Sequence, residues 1–515
     1  MLARKLKISY PIVLVIAGLG LSFLGGFVKI EIDPELIFLI FLPPLLYEAA
    51  WYTSWKEFWK WRRIIASFAF LIVIVTSVVI AYVSRSLIPG FTLALGFLLG
   101  GIISPPDAIS ATTIMKDVKV PKRLVSIVEG ESLLNDASSL IVFKFALAAV
   151  ATGTFVWTNA ITSFFVVIVM GTLTGLAIAL IVYAIHRWLP TTPSIDIVLT
   201  FVTPYIMYVV AEYFHFSGVL AVVSGGLFLS HHQHTMLSNL SRMQGVNVWA
   251  TVSFVLNGLI FMLIGLQLPL ITGQFSSTEL YDAILYGIII SLVLIVSRLV
   301  CTFGASIFTV FISRFIRTAD SNPGWKGPIL FGWAGMRGVV SLAAALSIPL
   351  FLQDGTPFPQ RNLILFITFT VIIVTLVFQG LTLPYVIKKV NMEERDNTLP
   401  VDEQEKLVRK KLAKVSLQLL DEKYKEEIGT NHYVGNLKTK YETDIEELEA
   451  LLKKDPHPPH IGSNYHRIYR EVIDSQRALL HQLNRKAEVD EEIIRKHFSL
   501  LDLEEEKLRQ RFEEV

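Results

Sequence analysis

Gly100-Gly101-Ile102-Ile103-Ser104-Pro105-Pro106-Asp107 sets two prolines and an aspartate inside an otherwise apolar run. Each proline removes a backbone donor, and the residue before a proline is pushed out of helix. A helix over 91–115 is therefore expected to falter near Ser104. Carbonyls freed at membrane depth persist only where protein or a watery cavity satisfies them. A proline kink is the plain reading. The sharper one is an ion site, because membrane transporters place such sites at interrupted helices. Asp107 and Ser104 stand at this break.

That run is one of twelve. A hydrocarbon core of about 30 Å takes about 20 apolar residues per helix. Candidate spans cover 8–28, 34–55, 62–84, 91–115, 122–150, 159–186, 194–213, 216–234, 249–270, 280–312, 327–351 and 362–388. Of 515 residues, 53% are hydrophobic and only 17% charged, so a soluble globular class is excluded. The first span is too long for a signal-peptide core, and no small-residue cleavage site comes after it. A net charge of +2 gives no case for nucleic acid. One cysteine, Cys301, rules out a disulfide within the chain.

Lys and Arg in short loops mark the cytoplasmic side. One set of loops carries Arg4, Lys5 and Lys7; Lys56, Lys60, Arg62 and Arg63; Lys116, Lys119, Lys122 and Arg123; Arg187; Arg242; Arg314, Arg317 and Lys326; Lys388 and Lys389. The alternate set carries little beyond Lys29, Arg85 and Arg361. Both termini are thus expected in the cytoplasm, on a multi-pass protein of the cell membrane. From about 391 to 515 the chain turns polar, with helical spacing over 402–428, 436–455, 463–487 and 489–513. Pro456, Pro458 and Pro459 divide these segments into two pairs. The tail reads as a small soluble helical domain, with a loosely ordered solvated tail as the alternative.

Charge at mid-bilayer costs at least about 2.5–3.5 kcal/mol on insertion scales, so each buried ionisable residue is a functional candidate. The fifth span holds Glu129-Gly130-Glu131-Ser132-Leu133-Leu134-Asn135-Asp136. Ser132 and Asp136 are four residues apart and share a helix face; Glu131 and Asn135 share the adjacent stripe. Hydroxyl, amide and carboxylate oxygens suit a small alkali cation rather than a transition metal. Low dielectric penalises a carboxylate's charge. Asp136 is therefore placed to hold a proton or a cation in turn. The alternative is that Asn135 and Asp136 only tie helices together. The eleventh span holds a second irregular stretch, Gly332-Trp333-Ala334-Gly335-Met336-Arg337-Gly338. If the chain has two inverted halves, the fourth and eleventh spans are equivalent. Arg298 needs a carboxylate partner. Lys144 has the reach to snorkel to the outer interface. Glu48, after Pro43-Pro44, either lines the same cavity or sits at the interface near Trp51 and Trp55. His231, His232 and His234 fall at a helix end without a completing ligand, and read as membrane-edge residues rather than a metal site.

Together these segments resemble the monovalent cation:proton antiporters, in particular the sodium/proton exchangers with an Asn-Asp pair. The resemblance covers about residues 8–390. It rests on FLPPLLYEAAW (41–51), GGIISPPDAISAT (100–112), VEGESLLNDASSL (128–140), FVLNGLIFMLIGLQL (254–268), Ser297-Arg298 and GWAGMRGVVSLAAALSIP (332–349). It implies an all-α polytopic fold with inverted repeats and crossed interrupted helices over 1–390, followed by a cytoplasmic helical tail over 391–515. It implies Asp136 as the main cation- and proton-binding residue, supported by Asn135 and Ser132, with Asp107 at the broken helix and Glu48 in the cavity. Glu131 and Arg298 match a buried ion pair, Pro105 and Pro106 the first interruption, and Arg337 the second. Electroneutral exchange of Na+ (or Li+ or K+) for H+ by a homodimer, controlling intracellular pH and cation level, is the implied activity, with no cofactor and no enzyme chemistry. Two departures stand out. Many relatives have Thr where this chain has Pro106, which bears on Na+ against K+ preference. The opening Arg4-Lys5-Leu6-Lys7-Ile8-Ser9-Tyr10-Pro11 matches the segment after the first helix in thirteen-span relatives, so the first half-repeat is expected to be one helix short. A monovalent cation channel is the alternative function, but no TVGYG-like filter is present. An intramembrane enzyme would need a motif such as GxSxG or HExxH, and neither occurs.

Overall fold

The computed structural model describes residues 10–23, 34–118, 120–153, 157–272, 275–315, 324–352, 354–392, 399–452, 461–483 and 491–512. Among these, regular structure is helical, apart from one isolated bridge between Phe351 and Pro357. The chain divides into two compact units, Met1–Glu394 and Arg395–Val515.

The first unit runs α1 (Tyr10–Phe23), α2 (Pro34–Tyr52), α3 (Trp55–Leu87), α4 (Leu93–Ile103), α5 (Ala108–Asp117), α6 (Lys122–Thr152), α7 (Trp157–Trp188), α8 (Pro193–Tyr213), α9 (Gly218–Met236), α10 (Asn239–Thr272), α11 (Ser277–Ile312), α12 (Lys326–Trp333), α13 (Val339–Leu346) and α14 (Arg361–Val390). Eight helices among the described residues are long and apolar enough to cross a membrane: α3, α4 with α5, α6, α7, α8, α10, α11 and α14. The other expected spans fall on α1, α2, α9 and the interrupted pair α12–α13.

Local chemistry sets the ends of these helices. Thr92 caps α4 by accepting from Leu95 N–H (3.2 Å). Thr192 caps α8, with Pro193 at its first position. Ser276 and Glu279 form a reciprocal capping box at α11. Gly153 ends α6 with φ +69°, a left-handed turn that a side chain resists. Two helices start earlier than hydropathy predicts. The third and ninth spans are expected from 62 and 249, whereas the helices begin at Trp55 and Asn239. The extra turns are amphipathic or polar, so an apolar run does not include them; Ser54 caps the first by accepting from Glu57 N–H.

Large apolar side chains lie exposed along the outer helices, including Leu173 and Ile181 on α7 and Leu292, Val300 and Ile307 on α11. Such a surface suits lipid rather than water. Inside, Trp61, Phe68, Phe261, Phe331, Met336 and Phe369 belong to one apolar cluster around the interruptions. Phe68 and Phe331 meet edge to face at 5.4 Å between centroids. This contact ties α3 to α12, beside the second interruption.

The second unit comprises α15 (Val401–Lys423), α16 (Lys425–Thr430), α17 (His432–Leu452), α18 (Ile461–Leu483) and α19 (Glu491–Phe512). The expected helix over 402–428 is interrupted at Tyr424, and α17 starts at His432 rather than 436. Ion pairs join its helices: Lys410 to Glu449 at 2.8 Å, Lys438 to Asp421 at 2.8 Å, and Arg477 to both Asp502 and Glu505. The proline cluster Pro456, Pro458 and Pro459 lies outside the described residues.

Candidate cation site at the crossed interruptions

Residues Ser104–Asp107 separate α4 from α5, and Ala334–Gly338 separate α12 from α13. Each break leaves carbonyls at one half-helix end and N–H groups at the other without helical partners. Inside a membrane fold those groups must be answered by protein or cavity.

At the first break the answer comes from α6. Asn135 Nδ2 donates to the Pro106 carbonyl at 2.9 Å, and Ala108 N–H donates to Ser132 Oγ at 3.2 Å. Asp107 caps α5. Its Oδ1 accepts from Ile109 N–H at 3.0 Å, and its Oδ2 from the Ser110 hydroxyl at 2.9 Å and Ser110 N–H at 3.4 Å. A carboxylate at that end also meets the positive pole of the helix dipole.

The second break folds back onto the first. Asp107 N–H donates to the Met336 carbonyl at 2.7 Å. Gly338 lies so close that a Cβ there would stand 2.7 Å from Asp107 Oδ2. Arg337 Nε donates to the Ile103 carbonyl at 2.6 Å and Nη2 to that of Ser104 at 3.0 Å, while Nη1 donates to Gly335. The guanidinium thus sits on the negative end of α4. Its backbone N–H donates to Thr375 Oγ1 at 3.1 Å, where α14 widens into a π turn over Thr375–Gln379. A second arginine serves α12. Arg298 donates to both oxygens of Glu131 at 2.8 and 2.9 Å, and its Nε reaches the Phe331 carbonyl at 3.3 Å. Arg298 is 2% exposed and Glu131 1%, a fully sequestered pair.

Asp136 differs from all of these. Its backbone carbonyl accepts from the Ser139 hydroxyl, but among the described residues no group donates to its carboxylate. It is 7% exposed and opens onto a cavity of about 470 Å³ lined also by Ser132, Asp107, Glu48, Pro105 and Pro106. Asn135, Glu131, Arg298 and Arg337 do not line that cavity; they stand behind its wall and hold the interruptions. Asn135 therefore acts on the backbone of the break, not on the cavity face that bears Asp136.

The cavity contains residues that the sequence alone does not single out. Ser253 and Asn257 of α10 and Tyr10 of α1 line it. They are uncharged, and the cost of burial at membrane depth flags charges first. Lys144 pairs with Glu212 of α8 at 2.7 Å. Both line a second cavity of about 800 Å³, and Phe38 lines the two cavities alike. His231 packs against Trp55 with centroids 6.0 Å apart, and no metal-holding cluster of His, Cys, Asp or Glu occurs among the described residues.

A helical membrane fold with two crossed interruptions and an uncommitted buried carboxylate defines a secondary transporter. Comparison with known proteins narrows this. Residues 1–389 match the family described as sodium/hydrogen exchanger, transmembrane. The chain is 31% identical over 499 residues to a sodium, potassium, lithium and rubidium/H+ antiporter of Bacillus pumilus, covering 94% of this chain and 72% of that protein. It is 34% identical over 389 residues to the low-affinity Na+/H+ antiporter NhaS1 of Synechocystis, covering 75% and 70%. Its fold is similar to that of the sodium proton antiporter MjNhaP1 of Methanocaldococcus jannaschii, with a TM-score of 0.61 at 19% identity over 76% of this chain and 95% of that one. The chain belongs to the transmembrane sodium/hydrogen exchanger family, and it is a multi-pass membrane protein.

Proposed function

We propose that this chain is a secondary antiporter that exchanges a monovalent cation, Na+ first among them, for H+ through Asp136. The observation that carries the reading is the Asp136 carboxylate, open to a cavity and without a donor among the described residues. Cation and proton compete for the same oxygens. Each neutralises the carboxylate, and only a neutralised site crosses the low-dielectric barrier cheaply. Ser132 and the Pro105-Pro106 backbone offer neutral oxygens beside it. Asp107 is committed to its cap, which supports a reading in which Asp136 alone changes partner in each cycle, as in the electroneutral exchange the family resemblance implies.

The cavity reaches Tyr52 and Thr53 at the end of α2, next to Lys56, Lys60, Arg62 and Arg63. By the positive-inside rule that mouth is cytoplasmic, with both termini on the same side and the tail beneath the cell membrane. We read the working form as a homodimer, on the family resemblance. Relatives named as antiporters favour exchange over the channel alternative.

The test is pH-gradient dequenching in proteoliposomes. Added Na+ should collapse an imposed gradient with the wild-type protein and leave it intact with Asp136→Asn. Cation-driven proton movement that survives in Asp136→Asn rejects the assignment.

A further inference from the structure

We propose that Ser253 and Asn257 form a second wall of the cation site and set its preference among alkali cations; the inference rests on the antiporter reading above. The two residues lie one helical turn apart on α10, hence on one face. Both line the cavity that holds Asp136, Asp107 and Ser132. They are 6% and 5% exposed. Yet the Ser253 hydroxyl and the Asn257 side-chain carbonyl have no hydrogen-bond partner among the described residues.

Nearly all buried polar groups in folded proteins are partnered. Besides these two, the exceptions among the described residues include Tyr47 OH, Asn135 Oδ1, Thr368 Oγ1 and the Gln379 amide; of all the exceptions only Ser253 and Asn257 line the cavity. Buried helical serines turn their hydroxyls onto the preceding turn: Ser77 onto Val73, Ser84 onto Ile80, Ser291 onto Gly287. Ser253 does not. Asn257 likewise leaves its side-chain carbonyl without a partner among the described residues. A half-turn about its last torsion exchanges the carbonyl oxygen and the NH2. Its oxygen is therefore available to a cation or to the cation's water.

These oxygens are neutral, and their field is weaker than that of a carboxylate. Compact Li+ and Na+ gain most from the charge of Asp136. A larger, more loosely hydrated K+ depends more on the number of neutral oxygens around it. Removing Ser253 Oγ or the Asn257 amide should therefore weaken K+ more than Li+.

The variants are Asn257→Leu and Ser253→Ala, each reconstituted in full length and assayed by dequenching with Li+, Na+ and K+. Replacing an unpartnered buried polar group by an apolar one is neutral or stabilising for the fold, so a merely structural role predicts unchanged transport. We expect the apparent KM to rise about tenfold for the largest transported ion, with a smaller rise for the smallest and a maximal rate near wild type. Wild-type KM values for all ions in both variants overturn the inference, as does a lost maximal rate at unchanged KM. Should Asn257→Leu fail to fold, Ser253→Ala decides alone, because it removes a single oxygen. A wild-type protein without any cation-driven signal overturns the antiporter reading, and this inference with it.

Discussion

The two interruptions are built from opposite chemistry. Prolines break the first, and an aspartate caps the helix that leaves it. Glycines loosen the second, its outgoing helix has no side-chain cap, and it carries an arginine. That arginine does not turn to the carboxylates. Arg337 serves the carbonyl end of the first broken helix, while Arg298 serves the carbonyl end of the second and neutralises Glu131. Both positive charges are thereby consumed by backbone dipoles or by a partner behind the cavity wall. What remains facing the cavity is acidic, with Asp107 capping and Asp136 uncommitted. On the proposed reading, the asymmetry makes the second interruption the brace and the first the site.

The comparison can be broken at the brace first. Glu131→Gln leaves Arg298 charged and buried, a loss of about 3–5 kcal/mol when one partner of a buried pair is removed. The expected result is a protein that aggregates well below the wild-type midpoint in detergent. Adding Arg298→Met to that variant should recover much of the midpoint. Arg337→Met comes next. It strips the last carbonyls of α4 of charge-assisted donors worth about 1.5–3 kcal/mol each, and the midpoint should fall by several degrees without any change at Asp136 itself.

The comparison is sharpened at the site. Asp107→Asn keeps a good N-cap, so stability should move by less than about 0.5 kcal/mol, whereas Asp107→Ala should cost about 1 kcal/mol. Exchange in Asp107→Asn should slow, because the cavity loses a charge that attracts cations. A fall in the midpoint as large as that of Arg337→Met would erase the distinction between brace and site. The smallest effect belongs to the tail. Arg477→Ala breaks its ion pairs with Asp502 and Glu505, which lie at the solvent-facing surface of the second unit and are of the kind that contributes little. Its stability, read from the midpoint, should lie within about 1 kcal/mol of wild type.

Much of this is legible in sequence because membrane burial makes polarity expensive. Asp136, Asp107, Glu131, Arg298 and Arg337 stand out against apolar runs, and the prolines and glycines mark both breaks. Proline alone does not decide, however. Pro43-Pro44 lies within the continuous helix α2, whereas Pro105-Pro106 coincides with a break. The difference lies in distant partners: Asn135, Ser132, Arg337 and Met336 all supply groups to the backbone of residues 103–108. No spacing rule reveals such contacts. Nor does it reveal that Arg337 answers the opposite broken helix, 234 residues away from Ile103. Asn257 falls within the 254–268 stretch that carries the resemblance, and Ser253 just before it, but a neutral side chain in an apolar run has no assigned role until its lack of a partner is seen.

Calorimetry of Na+ binding to the purified protein, run in buffers of differing ionisation enthalpy, reads the coupling at Asp136 directly. Release of about one proton per Na+ bound, with both binding and release lost in Asp136→Asn, is the result expected when one carboxylate holds each ion in turn. Na+ binding that releases no proton, or that persists in Asp136→Asn, would contradict it.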